Sequence, residues 1–221
     1  EGTFHATNRV KSIEVGKEYM IYNTAWATGE YALRYGFVYD NSKIAINGLT
    51  VPEEFETDNK AYLWKFEDAG EGKYYIKNVA TGLYAGTETT MGETKVAFTI
   101  ADFVDCPSKG SAGSRSVAGE RVDVADITAE DAVVYIFNGE KYWNGNNWNN
   151  AGDNCFATWS SAHPYAIYEV EGVVTINVTY ILKENDSEVT RTVVTQRANS
   201  DVAIPSSFGS TSLYDFDVVG T

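Results

Sequence analysis

A short run used three times constrains the fold of this chain more than any other feature. "YMIYN" ends at Asn23, "YYIKN" at Asn78 and "VYIFN" at Asn138, 55 and 60 residues apart. Each is a β-rich run stopped by an asparagine, the pattern of a strand entering a turn. A glycine and then a tyrosine follow each time: Gly29 and Tyr31, Gly82 and Tyr84, Gly139 and Tyr142. One hairpin is therefore expected three times, with the recurring tyrosines facing the core because aromatic rings carry so much apolar area.

Further short strands complete each unit. "YLWKFED" at 62 to 68, "RVDVADI" at 121 to 127 and "YAIYEV" at 165 to 170 are expected to close the units. "FTIADF" at 98 to 103 competes for the middle place. Phe66 precedes Ile76 by 10 residues and Val124 precedes Ile136 by 12, however, and this match favours the later run. Between hairpin and closing strand come "KIAIN" at 43 to 47, "VAFTI" at 96 to 100 and "CFATW" at 155 to 159. Self-similarity at such a period marks units that bury their faces together. Three units of four strands predict an all-β chain, a β-trefoil with pseudo-threefold repeats, and 43% hydrophobic residues can supply its core.

The middle unit also carries "W-x-F" followed by "YYI-x-N-x-x-TG-x-Y", here Trp64, Phe66, Tyr74, Tyr75, Ile76, Asn78, Thr81, Gly82 and Tyr84. With these residues the chain resembles the ricin-type β-trefoil family, especially the exported trefoil modules of gut Bacteroidetes, over roughly residues 10 to 171. The resemblance implies a trefoil domain over 10–171 in an exported, extracellular or cell-surface protein. The lectin branch of that family carries Q-x-W in its units, whereas the only glutamine here is Gln196, outside the repeat. Its sugar-binding residues therefore do not transfer, and fold likeness alone is no warrant for lectin activity.

Other segments are simpler. "TAEDAVVY" from Thr128, with Asp131 three residues on, predicts one helical turn and no more helix than that. "CPSKGSAGSRSVAG", Cys106 to Gly119, is rich in Gly and Ser without apolar periodicity and is expected to be a mobile loop between two strands. From Val174 apolar and polar residues alternate, "ENDS" at 184 to 187 reads as a turn, and "EVTRTVVTQ" at 188 to 196 returns. "VAIPSSF" adds a short strand, with Pro205 at its end or on an edge. Residues 172–221 thus predict a small antiparallel β module, and its small size suggests a truncated one with further domains of the same chain beyond it. The opening "EGTFHATNRV" has no signal-peptide pattern, so an export signal is expected to have been trimmed or omitted.

A formal charge of −14 opposes nucleic acid, whose affinity comes from basic residues releasing counterions. The longest apolar runs are too short to span a bilayer. Catalytic and metal motifs are lacking: His5 and His163 have no zinc spacing, no nucleophile elbow or phosphate loop occurs, and Glu53, Glu54, Glu56 and Asp58 read as a solvated run. Neither catalytic residues nor a cofactor or metal is assigned. Cys106 and Cys155 are too few for a disulfide framework, and whether they pair is open.

The candidate site is "YWNGNNWNN", residues 142 to 150. Next to the recurring tyrosines stand Ala32, Ala85 and Trp143, on the opposite face of the strand and hence toward solvent. Sugars present flat C–H patches rimmed by hydroxyls, which suit an indole platform beside short amides and carboxylates. Trp143, Trp148 and Trp159, with Asn144, Asn146, Asn147 and Asp153, are the glycan-binding candidates, and Trp26 in the first turn and Thr87 to Thr90 are secondary. Turn chemistry alone also explains the run, with its tryptophans filling the interior. A non-catalytic carbohydrate-binding module is the leading function, and a protein-binding trefoil such as a protease inhibitor, or a spacer, is the alternative.

Overall fold

The computed structural model describes residues 2–26, 35–145, 156–173 and 175–197. They form two compact units, one spanning Thr3–Glu171 and the other a hairpin beyond it. The first half of the larger unit contains β1 (Thr3–Val10), β2 (Glu18–Asn23), β3 (Ala25–Trp26), β4 (Gly36–Asp40), β5 (Ile44–Ile46), β6 (Glu56–Thr57) and β7 (Trp64–Gly70). There follow β8 (Lys73–Asn78), β9 (Tyr84–Ala85), β10 (Met91–Gly92), β11 (Thr99–Asp102), β12 (Gly113–Arg115) and β13 (Arg121–Val122). Then come β14 (Val134–Phe137), β15 (Tyr142–Gly145), β16 (Phe156–Trp159) and β17 (Tyr165–Val173). The chain is all-β and its named strands pair antiparallel. No helix among the described residues is long and apolar enough to cross a membrane.

The strand pairings return to their starting point. β2 pairs β7, β7 pairs β8, β8 meets the residue before β11 through Tyr74 and Phe98, β11 pairs β14, β14 pairs β17, and β17 pairs β2. Inside this circuit Ile21, Ile76 and Ile136, the central residues of the three similar runs, are wholly buried. Their cross-strand partners are Ile167, Phe66 and Ile100, so each isoleucine meets an apolar side chain on the same face. One continuous apolar cluster joins them to Tyr19, Trp64, Phe98, Val134 and Tyr165.

Hairpins attach to β2, β8 and β14 through equivalent pairs: Tyr22 with Phe37, Lys77 with Tyr84, and Phe137 with Tyr142. The asparagines that end the runs explain the turns. Asn23 Oδ1 accepts from Ala25 N (3.0 Å), Asn78 Oδ1 from Ala80 N (3.0 Å), and Asn138 Oδ1 from Glu140 N (2.9 Å). Each side chain thereby mimics a backbone carbonyl and folds the chain back. Gly82 (φ +70°) and Gly139 (φ +97°) then take left-handed conformations that favour glycine.

Several sequence expectations are corrected. The strand that pairs with β14 is β11, within "FTIADF", whereas "RVDVADI" supplies only β13 and a 3-10 turn at Val124–Asp126. Matching spacing misled because residues 103–133 leave the circuit and return to it, and spacing cannot reveal an insertion. For the same reason the middle hairpin returns through β10 rather than "VAFTI". In the first unit Phe37, not Tyr31, stands opposite β2 where Tyr84 and Tyr142 stand in the others, and Tyr31 lies outside the described residues.

The expected turn at Ala129–Asp131 is present, with Thr128 N donating to Asp131 Oδ2 at 2.7 Å, but it is one of several 3-10 turns rather than the only one. The stretch Cys106 to Gly119 is not an open loop. β12 lies within it and pairs with both β3 and β13, and Ser114 is wholly buried. Gly113 makes this approach possible, since a Cβ there would sit 2.3 Å from the Val122 carbonyl oxygen and 2.6 Å from the Trp26 ring.

In the smaller unit β18 (Thr175–Glu184) pairs β19 (Ser187–Arg197) around Asn185 and Asp186, both at positive φ. Such a two-residue turn matches the twist of a hairpin, and "ENDS" is a turn as expected. The alternation is also visible, with Tyr180 buried and Ile181 exposed. "VAIPSSF" lies outside the described residues.

The asparagine turns yield a prediction. Asn78 is wholly buried, accepts from two backbone amides and donates to Ala61 O at 2.8 Å. Asn78→Ala strands those groups and should cost about 1–3 kcal/mol in urea unfolding, while half-buried Asn138→Ala should cost less.

Candidate functional site

β15 and β16 pair Tyr142 with Trp159, Trp143 with Thr158, Asn144 with Ala157 and Gly145 with Phe156. Residues directly opposite share a face, so Trp143, Phe156 and Thr158 point one way and Tyr142, Asn144 and Trp159 the other. The first of these faces points into the core, which overturns the expectation that Trp143 faces solvent. Its indole is wholly buried and packs edge-on against Phe98 (5.9 Å), Phe156 (4.9 Å) and Tyr165 (5.6 Å).

The physical reason lies in the equivalent positions. Where the third hairpin has Trp143, the middle one has Ala85 and the first, in the register set by Phe37, has Val38, all in one core cluster. Alanine in one unit and tryptophan in another keep total core volume, which close packing demands. The residue peculiar to one unit is thus a packing adjustment.

Asn144 is also buried. Its Nδ2 donates to Ser161 O (2.6 Å) and its Oδ1 accepts from Gly145 N (2.7 Å), so its amide is committed to the chain itself. Asn146, Asn147, Trp148 and Asp153 lie outside the described residues. Of the described tryptophan candidates Trp159 alone is open, at 64% exposure, and Thr87 and Thr90 are exposed as well. Trp26, expected in an exposed turn, is buried: its Nε1 donates to Ser114 O (2.9 Å) and Arg121 lies over its ring (5.3 Å). The weighed alternative, packing against a neighbouring loop, describes it. Thr87 and Thr89 lend carbonyls to Asn138 Nδ2 (2.7 Å) and Ile44 N (2.7 Å), holding hairpins together.

The outward faces of the three hairpins all carry aromatic rings, but the rings are covered differently. On the first, Phe37 stacks on Phe55 (4.9 Å) and Phe55 meets Tyr62, so residues arriving before β7 close that face. On the second, Tyr84 lies under Lys77 (5.4 Å) and Lys95 (4.9 Å) while its hydroxyl donates to Glu67 (2.9 Å). Burial works against the charge on Glu67, yet the hydrogen bonds from Tyr84 and Lys95 prevail and hold its carboxyl below the usual range.

On the third hairpin a row crosses three strands: Phe137, then Tyr142 at 4.4 Å, then Trp159 opposite Tyr142. Phe103, Cys106, Ile127 and Val133 cover Tyr142, and Phe137 is half-buried. Ser108 and Gly110 fasten this cover to the residues after Trp159, through Ser108 Oγ to Ser160 O (2.9 Å) and Gly110 N to Ala162 O (2.8 Å). The cover stops short of Trp159. Phe137 was not singled out in the sequence, although its counterparts Tyr22 and Lys77 show that this position varies between units.

Among the described residues no catalytic constellation stands beside this row. Among the described residues no three of His, Cys, Asp and Glu gather as metal ligands. The Cys106 thiol donates to Ser108 O (3.3 Å), and burial pushes its pKa up, the opposite of an activated nucleophile. Cys155 lies outside the described residues. Glu88 is held as a carboxylate by Lys141 and by Thr158 Oγ1 (2.8 Å), which ties the middle hairpin to the third.

These environments separate the tryptophans. Trp143→Ala should cost about 3–5 kcal/mol by denaturant titration, through lost burial and a cavity, whereas Trp159→Ala should change stability by no more than about 0.5 kcal/mol. For Glu67, whose folded pKa is depressed, the stabilising contribution is present above the ordinary value of 4.5 and is lost as pH falls through the folded value. An acid titration of Glu67→Gln should accordingly show a flatter stability loss below that pH than the parent. Comparison with protein-family models, with curated proteins and with solved structures returned no match.

Proposed function

We propose that the Thr3–Glu171 unit is a β-trefoil that binds carbohydrate without catalysis, as a module of an exported or cell-surface protein, and that Trp159 is its stacking platform. The trefoil reading is supported by the six-strand circuit and the three attached hairpins, with Ile21, Ile76 and Ile136 at equivalent places. A single observation carries the binding reading: an indole 64% exposed at the end of an aromatic row, where the middle hairpin has only Gly92 opposite Tyr84. An aromatic ring left in water at the rim of a packed face offers a sugar's C–H face a surface without first displacing a side chain. Trp143 and Trp26 are not part of this proposal, since their rings serve the core and the β12 contact.

The protein-binding alternative has less support. The loop that would reach into a protease is tied down by β12, and buried Ser114 Oγ lies 2.8 Å from Thr24 Oγ1.

A glycan array followed by tryptophan fluorescence titration of the retained glycan tests the proposal. Trp159→Ala should weaken retention by about tenfold or more, equivalent to about 1.4 kcal/mol, and Trp159→Tyr should keep part of it. Equal retention by Trp159→Ala would remove this face from consideration.

A further inference from the structure

On the outward face of the third hairpin the aromatic side chains stand in register across adjacent strands, Phe137 on β14, Tyr142 on β15 and Trp159 on β16. Neighbouring strands lie about 4.8 Å apart, and the Phe137 and Tyr142 ring centres are 4.4 Å apart. That spacing is close to the rise of one unit in a β-linked hexose chain. A bare row of such rings would stack successive units and so form a platform for the interior of a polysaccharide. This row is not bare, and what covers it sets how much of a glycan it can hold.

Residues 103–110 form a strap over the first two rings. Phe103, wholly buried, and Cys106 close over Tyr142, which is 8% exposed, and Phe137 is half-buried beside them. The strap then runs to the end of β16 and is fastened there by Ser108 Oγ donating to Ser160 O (2.9 Å), Ala162 N to Ser108 O (2.8 Å) and Gly110 N to Ala162 O (2.8 Å). Gly110 is seated so closely that a Cβ would come within 3.0 Å of Ala162 O and 3.2 Å of the His163 ring. Lifting the strap would break these bonds and put Phe103 and Tyr142 into water, so it acts as a fixed wall.

Trp159 is thus bounded by the strap on its Tyr142 side, and again just past its own position, where the strap meets residues 160–162. β16 ends its sheet path, so no further strand carries the row beyond the indole. Along β16 the next residue on the same face is Ala157, which offers only a methyl group. Opposite Ala157, the Asn144 amide is already bonded to Ser161 O and Gly145 N.

We propose that this site holds one pyranose unit at the free end of a glycan and excludes the interior of a chain. The inference rests on the Trp159 reading and narrows it to a ligand class. A chain laid across the row would meet the strap one unit from the indole. A terminal unit stacks on the ring while the rest of the glycan leads away from the protein by the side without a wall.

A glycan array probed with the full chain tests this, using glycans that carry glucose, galactose, mannose or N-acetylglucosamine either at the non-reducing end or only in the interior. Retention should follow the end unit, and lengthening the glycan behind that unit from two sugars to six should change affinity by no more than about threefold. The methyl glycoside of the retained end unit should compete within about tenfold of the whole glycan, and Trp159→Ala should weaken both by about tenfold or more. Retention of glycans that carry the unit only internally, a larger gain with length, or weaker competition by the methyl glycoside would overturn this inference and leave the Trp159 reading standing. Retention that survives Trp159→Ala unchanged, or no retention of any glycan, would remove both.

Discussion

The larger unit is organised around the burial of three isoleucines in a circuit of strands whose pairings close on themselves. Ile21, Ile76 and Ile136 each face a hydrophobic partner on the neighbouring strand, and the pairings run from β2 round to β17 and back to β2. Closure satisfies backbone groups that an open sheet would leave exposed. It also sets the hairpins' position: because β2, β8 and β14 end at buried or half-buried asparagines, the chain must leave the ring there and turn outward.

This arrangement accounts for how differently the tryptophans behave. A packed core needs a fixed volume, and the volume can be shared unequally among the strands around it, so Trp143 can be large because Ala85 is small. The outer faces have no such constraint. Each is finished by whatever segment crosses it, Phe55 and Tyr62 on one, charged side chains on Tyr84 on another, and the stretch after Phe103 on the third. An exposed ring is left where the covering segment stops, and that place is Trp159.

Much of the architecture was legible in the sequence because asparagine turns and alternating strands are local signals. The runs ending at Asn23, Asn78 and Asn138, the turn at Asn185 and Asp186, and the one-turn cap at Thr128 were all readable without tertiary information. What failed was long-range. An excursion of the chain between β11 and β14 made "RVDVADI" imitate a strand it does not form, and a longer connection in the first hairpin put Tyr31 where Phe37 belongs. The site suffered most, since the parity of Trp143 was inferred from the tyrosines beside it. Tyr84 and Tyr142, expected to face the core, are instead buried under outer covers, while their neighbours Ala85 and Trp143 are buried in the core. Both faces of these strands are covered, so alternation could not say which one meets solvent.

The central claim, that Trp143 belongs to the core while Trp159 belongs to the surface, is tested most directly by the indole N–H resonances of nitrogen-labelled protein in the presence of a neutral, water-soluble paramagnetic agent. With assignments made from single Trp→Phe variants, the Trp159 resonance should broaden before those of Trp64, Trp143 and Trp26, which should persist. Broadening of Trp143 at the same concentration of agent as Trp159 would contradict the account.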